Sequence, residues 1–257
     1  MHCQTKKIKM KHHFIKVAVV AITIQTFIGC NAIKTKETTS EIQQTANNKR
    51  HVLTKAEQDA LTPDQVLQEF KEGNQRFNSS NVTEREHSES IRKAATSGQF
   101  PKAMVLSCLD SRVPVEDIFD QGIGDVFVGR VAGNFVNTDL LGSMEFACKV
   151  AGAKLIIVMG HQHCGAVKGA IDDVQLGNIK SMVANIKPAV EMSTTFDGEK
   201  SSKNEAYVKV VAQNNIKNTI AQIRAKSDIL KEMEAKGALK IVGVYYSLQT
   251  GTLEFVE

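Results

Sequence analysis

Tryptophan is absent from these 257 residues, tyrosine occurs three times, and aromatics make up 5% of the chain. Proteins that hold single-stranded nucleic acid stack its bases on aromatic side chains, and this chain has too few to build such a platform. No basic stripe interleaved with aromatics takes its place, so a nucleic-acid partner is not expected. The formal charge is only +4, from 32 basic against 28 acidic residues. Much of that excess sits in Lys6, Lys7, Lys9, Lys11 and Lys16. Internal repeats are also missing, which removes repeat architectures.

A comfortable membrane span is missing from the N-terminus as well. The apolar run Val17–Ile24 continues weakly to Ile28 and is interrupted by Thr23, Gln25 and Thr26. A spanning helix needs ~20 apolar residues. This run, behind a lysine-rich opening, suits the h-region of a secretory signal. It ends in Phe27-Ile28-Gly29-Cys30, which resembles a bacterial lipoprotein box, with Phe27 where leucine is usual and small Gly29 before the cysteine that is lipidated. A plain cleaved signal and an uncleaved anchor are the alternatives, and Met10 is an alternative start. The expectation is an exported protein, periplasmic or at the cell surface, tied to a bacterial membrane by a lipid on Cys30. Residues 1–30 form its signal. Asn31–Lys55 is polar and charged with little apolar content; such a segment cannot bury enough surface to offset its ordering entropy. Residues 31–60 are read as a disordered tether and 61–257 as one folded domain. With 42% hydrophobic residues, this length can bury one sizeable core.

Within that domain, Thr62-Pro63-Asp64 starts a helix, with threonine as N-cap and proline in the first turn. Val66, Leu67, Phe70 and Phe77 mark its apolar face. Glu84–Ser97 is expected to be a second helix. Ala103–Ser107, Asp125–Arg130, Lys154–Gly160 and Leu239–Tyr246 are apolar runs without strict alternation, as in strands buried on both faces of a parallel sheet. Thr252–Val256 pairs back on the last of them across Thr250-Gly251. Helical stretches cover Val115–Gln121, Leu140–Ala151, Ala166–Leu176, Ile179–Met192 and Ala206–Ala235. The alternation argues an α/β domain whose helices flank a mainly parallel sheet.

Two strand ends carry the chemistry. Cys108-Leu109-Asp110-Ser111-Arg112 follows the first strand, and His161-Gln162-His163-Cys164-Gly165 follows the third. Ligands in open α/β sheets gather at the carboxyl ends of strands. Thiolate, imidazole and carboxylate are donors that zinc accepts in a tetrahedral site. Gly165 leaves room for a tight strand-to-helix turn. Three plainer readings stay open. Cys148, on a helix face with Phe146 and Val150, reads as a small buried hydrophobe. Cys108 and Cys164 could join as a disulfide in an exported protein. A closed structural zinc site is the third. Against closure, the fourth candidate ligand is Asp110, and Arg112 can hold it through paired charge-assisted bonds.

The segment CLDSR followed by GHQHCGAV resembles the paired signatures of β-class carbonic anhydrases, over roughly Pro63 to the C-terminus. The resemblance implies one Zn2+ per subunit on Cys108, His161 and Cys164, with Asp110 as a further ligand candidate and with Asp110 and Arg112 as a catalytic dyad. It implies four parallel strands plus one antiparallel edge strand, an N-terminal helical arm, and a homodimer or dimer of dimers. The activity it implies is reversible hydration of carbon dioxide to bicarbonate and a proton by a zinc-activated water. Gln99 stands where the plant-like, type I branch has a substrate-binding glutamine that reaches the neighbouring subunit's pocket. Phe127, Ala132, Gly133, Phe146 and Gly165 match positions around the substrate pocket; ordinary core packing is the alternative for both phenylalanines.

Two departures bear on mechanism. Some members bind bicarbonate at a second site through a tryptophan three residues before the first zinc cysteine; here that residue is Val105, although Arg130 and Tyr246 match other parts of that site. Asp110 is therefore expected to pair with Arg112 and leave the metal open near neutral pH. His163, at a variable position, is read as an exposed or second-sphere residue, with a proton shuttle as the alternative. Relatives that hydrolyse carbonyl sulfide or carbon disulfide share the scaffold and give a second enzymatic reading. A non-catalytic, membrane-tethered protein with structural zinc is a reading of another class.

Overall fold

Residues buried on both faces form the centre of the molecule. In this computed structural model, which describes residues 50–256, β1 (Ala103–Ser107) and β3 (Leu155–His161) are buried along their whole length. With β2 (Val126–Arg130), β4 (Lys240–Tyr246) and β5 (Leu253–Val256) they form one sheet in the order β2-β1-β3-β4-β5. The first four strands are parallel and β5 returns antiparallel to β4, pairing Leu253 with Tyr246. This is the expected sheet. The proposed signal, the Cys30 lipidation site and most of the tether lie outside the described residues.

Helices complete both layers: α1 (Lys55–Ala60), α2 (Pro63–Asn78), α3 (Glu89–Ala95), α4 (Val115–Ile118), α5 (Thr138–Glu145), α6 (Gly165–Ile171), α7 (Ile179–Ala184), α8 (Lys187–Glu191), α9 (Glu205–Lys226) and α10 (Asp228–Ala235). Successive strand side chains point to opposite faces, so the apolar runs divide into two cores. Ala103, Val105, Leu155 and Ile157 pack with Val66 and Phe70 of α2 and with α4. Met104, Leu106, Ile156 and Val158 pack under α5 to α10. Helix α9 lies close on the sheet because Gly160 and Gly243 face Ile216; a Cβ on either would come within 2.9 and 2.5 Å of that side chain.

Several boundaries differ from the sequence reading, each for a local reason. The helix expected over Glu84–Ser97 begins only after Ser88, whose hydroxyl accepts the Ile91 amide. Ala206–Ala235 is two helices, broken at Ser227, which ends α9 and caps α10. Ile179–Met192 is likewise divided between α7 and α8. The Leu140–Ala151 stretch starts at Thr138 and opens into a π turn over Phe146–Val150. That extra residue rotates the face: Cys148 is buried as expected, but Phe146 and Val150 turn outward.

The end of the expected tether is packed. Helix α1 carries a capping box between Thr54 and Glu57, and Gln58 is fully buried, donating to the carbonyls of Pro101 and Ala151. Asp120, also buried, accepts from Arg76 at 2.6 Å and from the amide and hydroxyl of Thr83, and pairs with Arg50. These bonds fasten residues 50–60 to the domain, so the ordered part begins earlier than composition suggested.

Candidate metal centre

Strand register brings the two signature segments together. Ser107, the last residue of β1, pairs with Met159, so Cys108 emerges beside the end of β3, where His161 is the last strand residue. Cys164 then caps α6. The ligand atoms of Cys108, His161 and Cys164 all lie within 4.8 Å of one another and all three residues are buried. The two sulfurs are 3.9 Å apart and both thiols are free, which is far outside the ~2.05 Å of a disulfide.

The donors are arranged for a cation. His161 Nδ1 is 2.8 Å from the carbonyl of Gln162, which fixes that nitrogen as the donor and leaves Nε2 as the lone-pair atom. Nε2 is buried and has no hydrogen-bond partner among the described residues. Cys108 is pushed well down: the Cys164 thiol donates to it, burial opposes, and His161 and the amides of Gly133 and Asp110 add to the effect. Cys164 is pushed up because its proton serves Cys108 and because it is buried, although the amides of Ala166 and Val167 favour its anion. Two sulfurs sharing one proton beside an orphaned imidazole nitrogen fit zinc, which replaces that proton with two positive charges.

Asp110 stands at the rim. Its Oδ1 accepts from the Arg112 amide and Nε, both at 2.9 Å, and its Oδ2 accepts from Arg112 Nη2 at 2.7 Å. Those bonds hold its carboxyl well below the ordinary carboxylate range. Oδ2 also lies 3.9 Å from His161 Nε2. A carboxylate oxygen offers two acceptor sites. Oδ1 is therefore saturated by Arg112, whereas Oδ2 keeps one site free beside the metal ligands.

Other expected residues divide into two groups. Gly133 belongs to the centre, and its amide donates to Cys108 Sγ at 3.3 Å. Its φ is +88° and a Cβ would sit 2.4 Å from Ile186, so the turn after Ala132 needs glycine on both counts. Gly165 does not answer a tight backbone: its φ is not in the left-handed region, and a Cβ there would meet nothing within 4 Å. Phe127 and Phe146 lie elsewhere, ring against ring at 6.3 Å on the wall of a groove of about 460 Å³ beside β2. Phe127 pairs with Met104, four residues before Cys108, or about 13 Å along a strand. Gln99 is exposed ahead of the opposite end of β1. One subunit does not bring these three residues to its own metal ligands.

Sequence reasoning named His163 and Arg130 but missed what each one contacts. His163, at φ +56°, places Nδ1 2.5 Å from Glu205, which also binds Lys168 at 2.8 Å; nothing in the sequence linked residues so far apart. Arg130 donates from Nε to the Cys108 carbonyl at 3.0 Å and from Nη2 to the Asp110 carbonyl at 2.6 Å. Its place at the end of the second apolar run was the available signal.

Comparison with known proteins agrees with this geometry. Residues 103–253 match the family model described as carbonic anhydrase. Carbonic anhydrase 2 of Mycobacterium tuberculosis is 38% identical over 187 residues, covering 71% of this chain and 87% of that protein. The Coccomyxa β-carbonic anhydrase, solved in complex with acetazolamide, superposes with a TM-score of 0.58 at 25% identity, covering 65% of this chain and 78% of that one. A tetrameric β-carbonic anhydrase of Sordaria macrospora shares the fold, with a TM-score of 0.58 at 24% identity over 65% of this chain and 85% of that one. From the metal ligands, the sheet that delivers them and the extent of these matches, the chain belongs to the β-carbonic anhydrase family.

Proposed function

We infer that this protein is a zinc enzyme that hydrates carbon dioxide reversibly to bicarbonate and a proton. The observation that carries the reading is Asp110, held anionic by Arg112 with one free Oδ2 acceptor site 3.9 Å from His161 Nε2. A structural zinc site has no use for such a group. Cys108, His161 and Cys164 would hold zinc, which would supply a Lewis acid able to make water nucleophilic near neutral pH. Asp110 Oδ2, with its free acceptor site, would take a hydrogen bond from the attacking water and orient it toward the substrate. Because the Asp110 carboxyl does not retain a proton near neutrality, it orients the nucleophile, and the released proton goes to solvent.

Several finer features belong to the same proposal. The type I branch is supported by Gln99 and by Val105 in place of tryptophan. Two copies complete each site, one supplying the metal ligands and its partner supplying Gln99, Phe127 and Phe146. The distance of these three residues from the metal ligands within one copy supports this reading. Export and lipidation at Cys30 are supported by the lysine-rich opening, the Val17–Ile24 run and Gly29-Cys30. Among the described residues no helix is long and apolar enough to cross a membrane.

The test is zinc content and stopped-flow carbon dioxide hydration on one purified sample, with carbonyl sulfide hydrolysis measured beside it. Stoichiometric zinc with hydration far above background is expected. Full zinc with background hydration would leave the structural-site reading, and faster sulfide release would move the substrate.

A further inference from the structure

We propose that Arg130 is a positioning residue that fixes the metal-binding loop in place. Past the buried Cys108 the loop has no apolar anchor before Asp110, since Leu109 between them is 65% exposed. What holds it comes from the last residue of β2 and the segment that follows. The Val131 amide donates to the Ser107 carbonyl at 3.2 Å, extending the β1–β2 ladder. Arg130 then reaches across with two arms of one guanidinium, Nε to the Cys108 carbonyl and Nη2 to the Asp110 carbonyl. Three residues after Arg130, the Gly133 amide meets the Cys108 sulfur.

The two carbonyls belong to the first metal ligand and to the residue that orients the nucleophile. The Asp110 carbonyl has a second donor in the Val113 amide at 3.2 Å. The Cys108 carbonyl has Arg130 alone among the described residues. Arg130 makes no ion pair within the described residues, so its charge and planar fork are directed at this loop. Lysine cannot reproduce that, because a single ammonium lacks the fork that spans two acceptors. Arg130 therefore sets the distance between the Cys108 sulfur and the Asp110 carboxylate without touching substrate.

This rests on the metal centre proposed above and is tested on the zinc-loaded full chain with Arg130→Gln and Arg130→Lys. Arg224→Gln, which removes a surface ion pair with Glu234, serves as the control. Loss of a group that orients metal ligands typically costs about 10–100-fold in metal affinity or activity. Arg130→Gln is expected to release zinc to excess chelator about ten-fold faster or more, to alter the visible absorption of the cobalt-substituted protein, and to lower kcat with KM unchanged. Arg130→Lys falls between, and Arg224→Gln matches the parent. The proposal is overturned if Arg130→Gln keeps the parent's release rate and cobalt spectrum, whatever its activity. It is equally overturned if zinc loss merely tracks a fall in thermal midpoint across both variants. Should Arg130→Gln fail to fold, Arg130→Lys decides on the same readouts. A parent that holds zinc without hydrating carbon dioxide sinks the enzymatic reading but leaves the release comparison intact.

Discussion

Asp110→Asn is the most discriminating single change. Asparagine keeps the shape and one carbonyl oxygen, so the amide and Nε of Arg112 can still be met at the Oδ1 position. At the Oδ2 position an NH2 replaces an acceptor. It faces the Nη2 donor of Arg112, now 2.7 Å away, and it presents a donor where the nucleophile's hydrogen should be received. The charge that made Asp110 an acceptor is gone as well. A positioned acid–base group or one preorganised hydrogen-bond partner typically contributes about 10²–10⁴-fold in rate, so kcat should fall by that factor. Cys108, His161 and Cys164 are untouched, so zinc should remain stoichiometric. The thermal midpoint should move little, because Arg112 is largely in solvent and exposed ion pairs contribute little to stability. Hydration traces and metal analysis on the same sample decide it. Activity within ten-fold of the parent, or loss of zinc along with activity, would refute the role given to Oδ2.

Three further outcomes follow from particular contacts. Cys164→Ala removes one of two thiolates and should abolish zinc retention, read by metal analysis after dialysis; full zinc in this variant contradicts the ligand set. Asp120→Asn leaves Arg50 and Arg76 without their buried partner and should cost about 3 kcal/mol, the lower end for breaking a buried pair because both arginines reach solvent. Burial alone would raise the Asp120 carboxyl, but the Arg76 and Thr83 bonds outweigh it and the net shift is downward from 3.8. Its contribution is therefore complete above the unfolded value and lost as pH falls below about 4; acid unfolding should shift upward in pH in the variant, and an unchanged acid limb would contradict this. Mixing inactive Gln99→Ala with inactive Cys164→Ala should restore part of the activity if sites are shared between two copies, and no recovery after demonstrated subunit exchange counts against shared sites.

The sheet and the metal ligands were legible because both depend on local signals. Lys154–Gly160 is apolar at every position but its first and last, which only a doubly covered strand explains, and His161 and Cys164 follow it directly. The helix boundaries were less legible because they depend on single residues that act in two ways. Ser227 reads as an ordinary helical residue until its backbone is seen to end α9 and its hydroxyl to cap α10. The π turn at Phe146 has no composition signal, and it decides that Phe146 faces out while Cys148 faces in. Residues 50–60 look too polar to order, yet Gln58 is buried because its amide donates to the carbonyls of Pro101 and Ala151. Tertiary hydrogen bonds of that kind are invisible to any count of apolar content.

The polarity of the sheet explains why two of the recognisable groups stay apart. All four parallel strands carry their carboxyl ends to one side, and that side receives Cys108 from β1 and His161 from β3. Gln99 precedes β1 and Phe127 stands near the start of β2, so the same polarity sends them toward the opposite end. No loop rearrangement within one chain closes a gap spanned by a fully buried strand. Phe146 is 49% exposed, and β2 is an edge strand whose outer side has no partner strand among the described residues. An exposed aromatic beside an unpaired edge is a surface that native proteins cover. A second copy placed there would cover it, and an antiparallel arrangement of the two subunits would carry Gln99, Phe127 and Phe146 of one toward the metal ligands of the other. The proposed pairing would thus cover the open edge and bring the two groups together in one step.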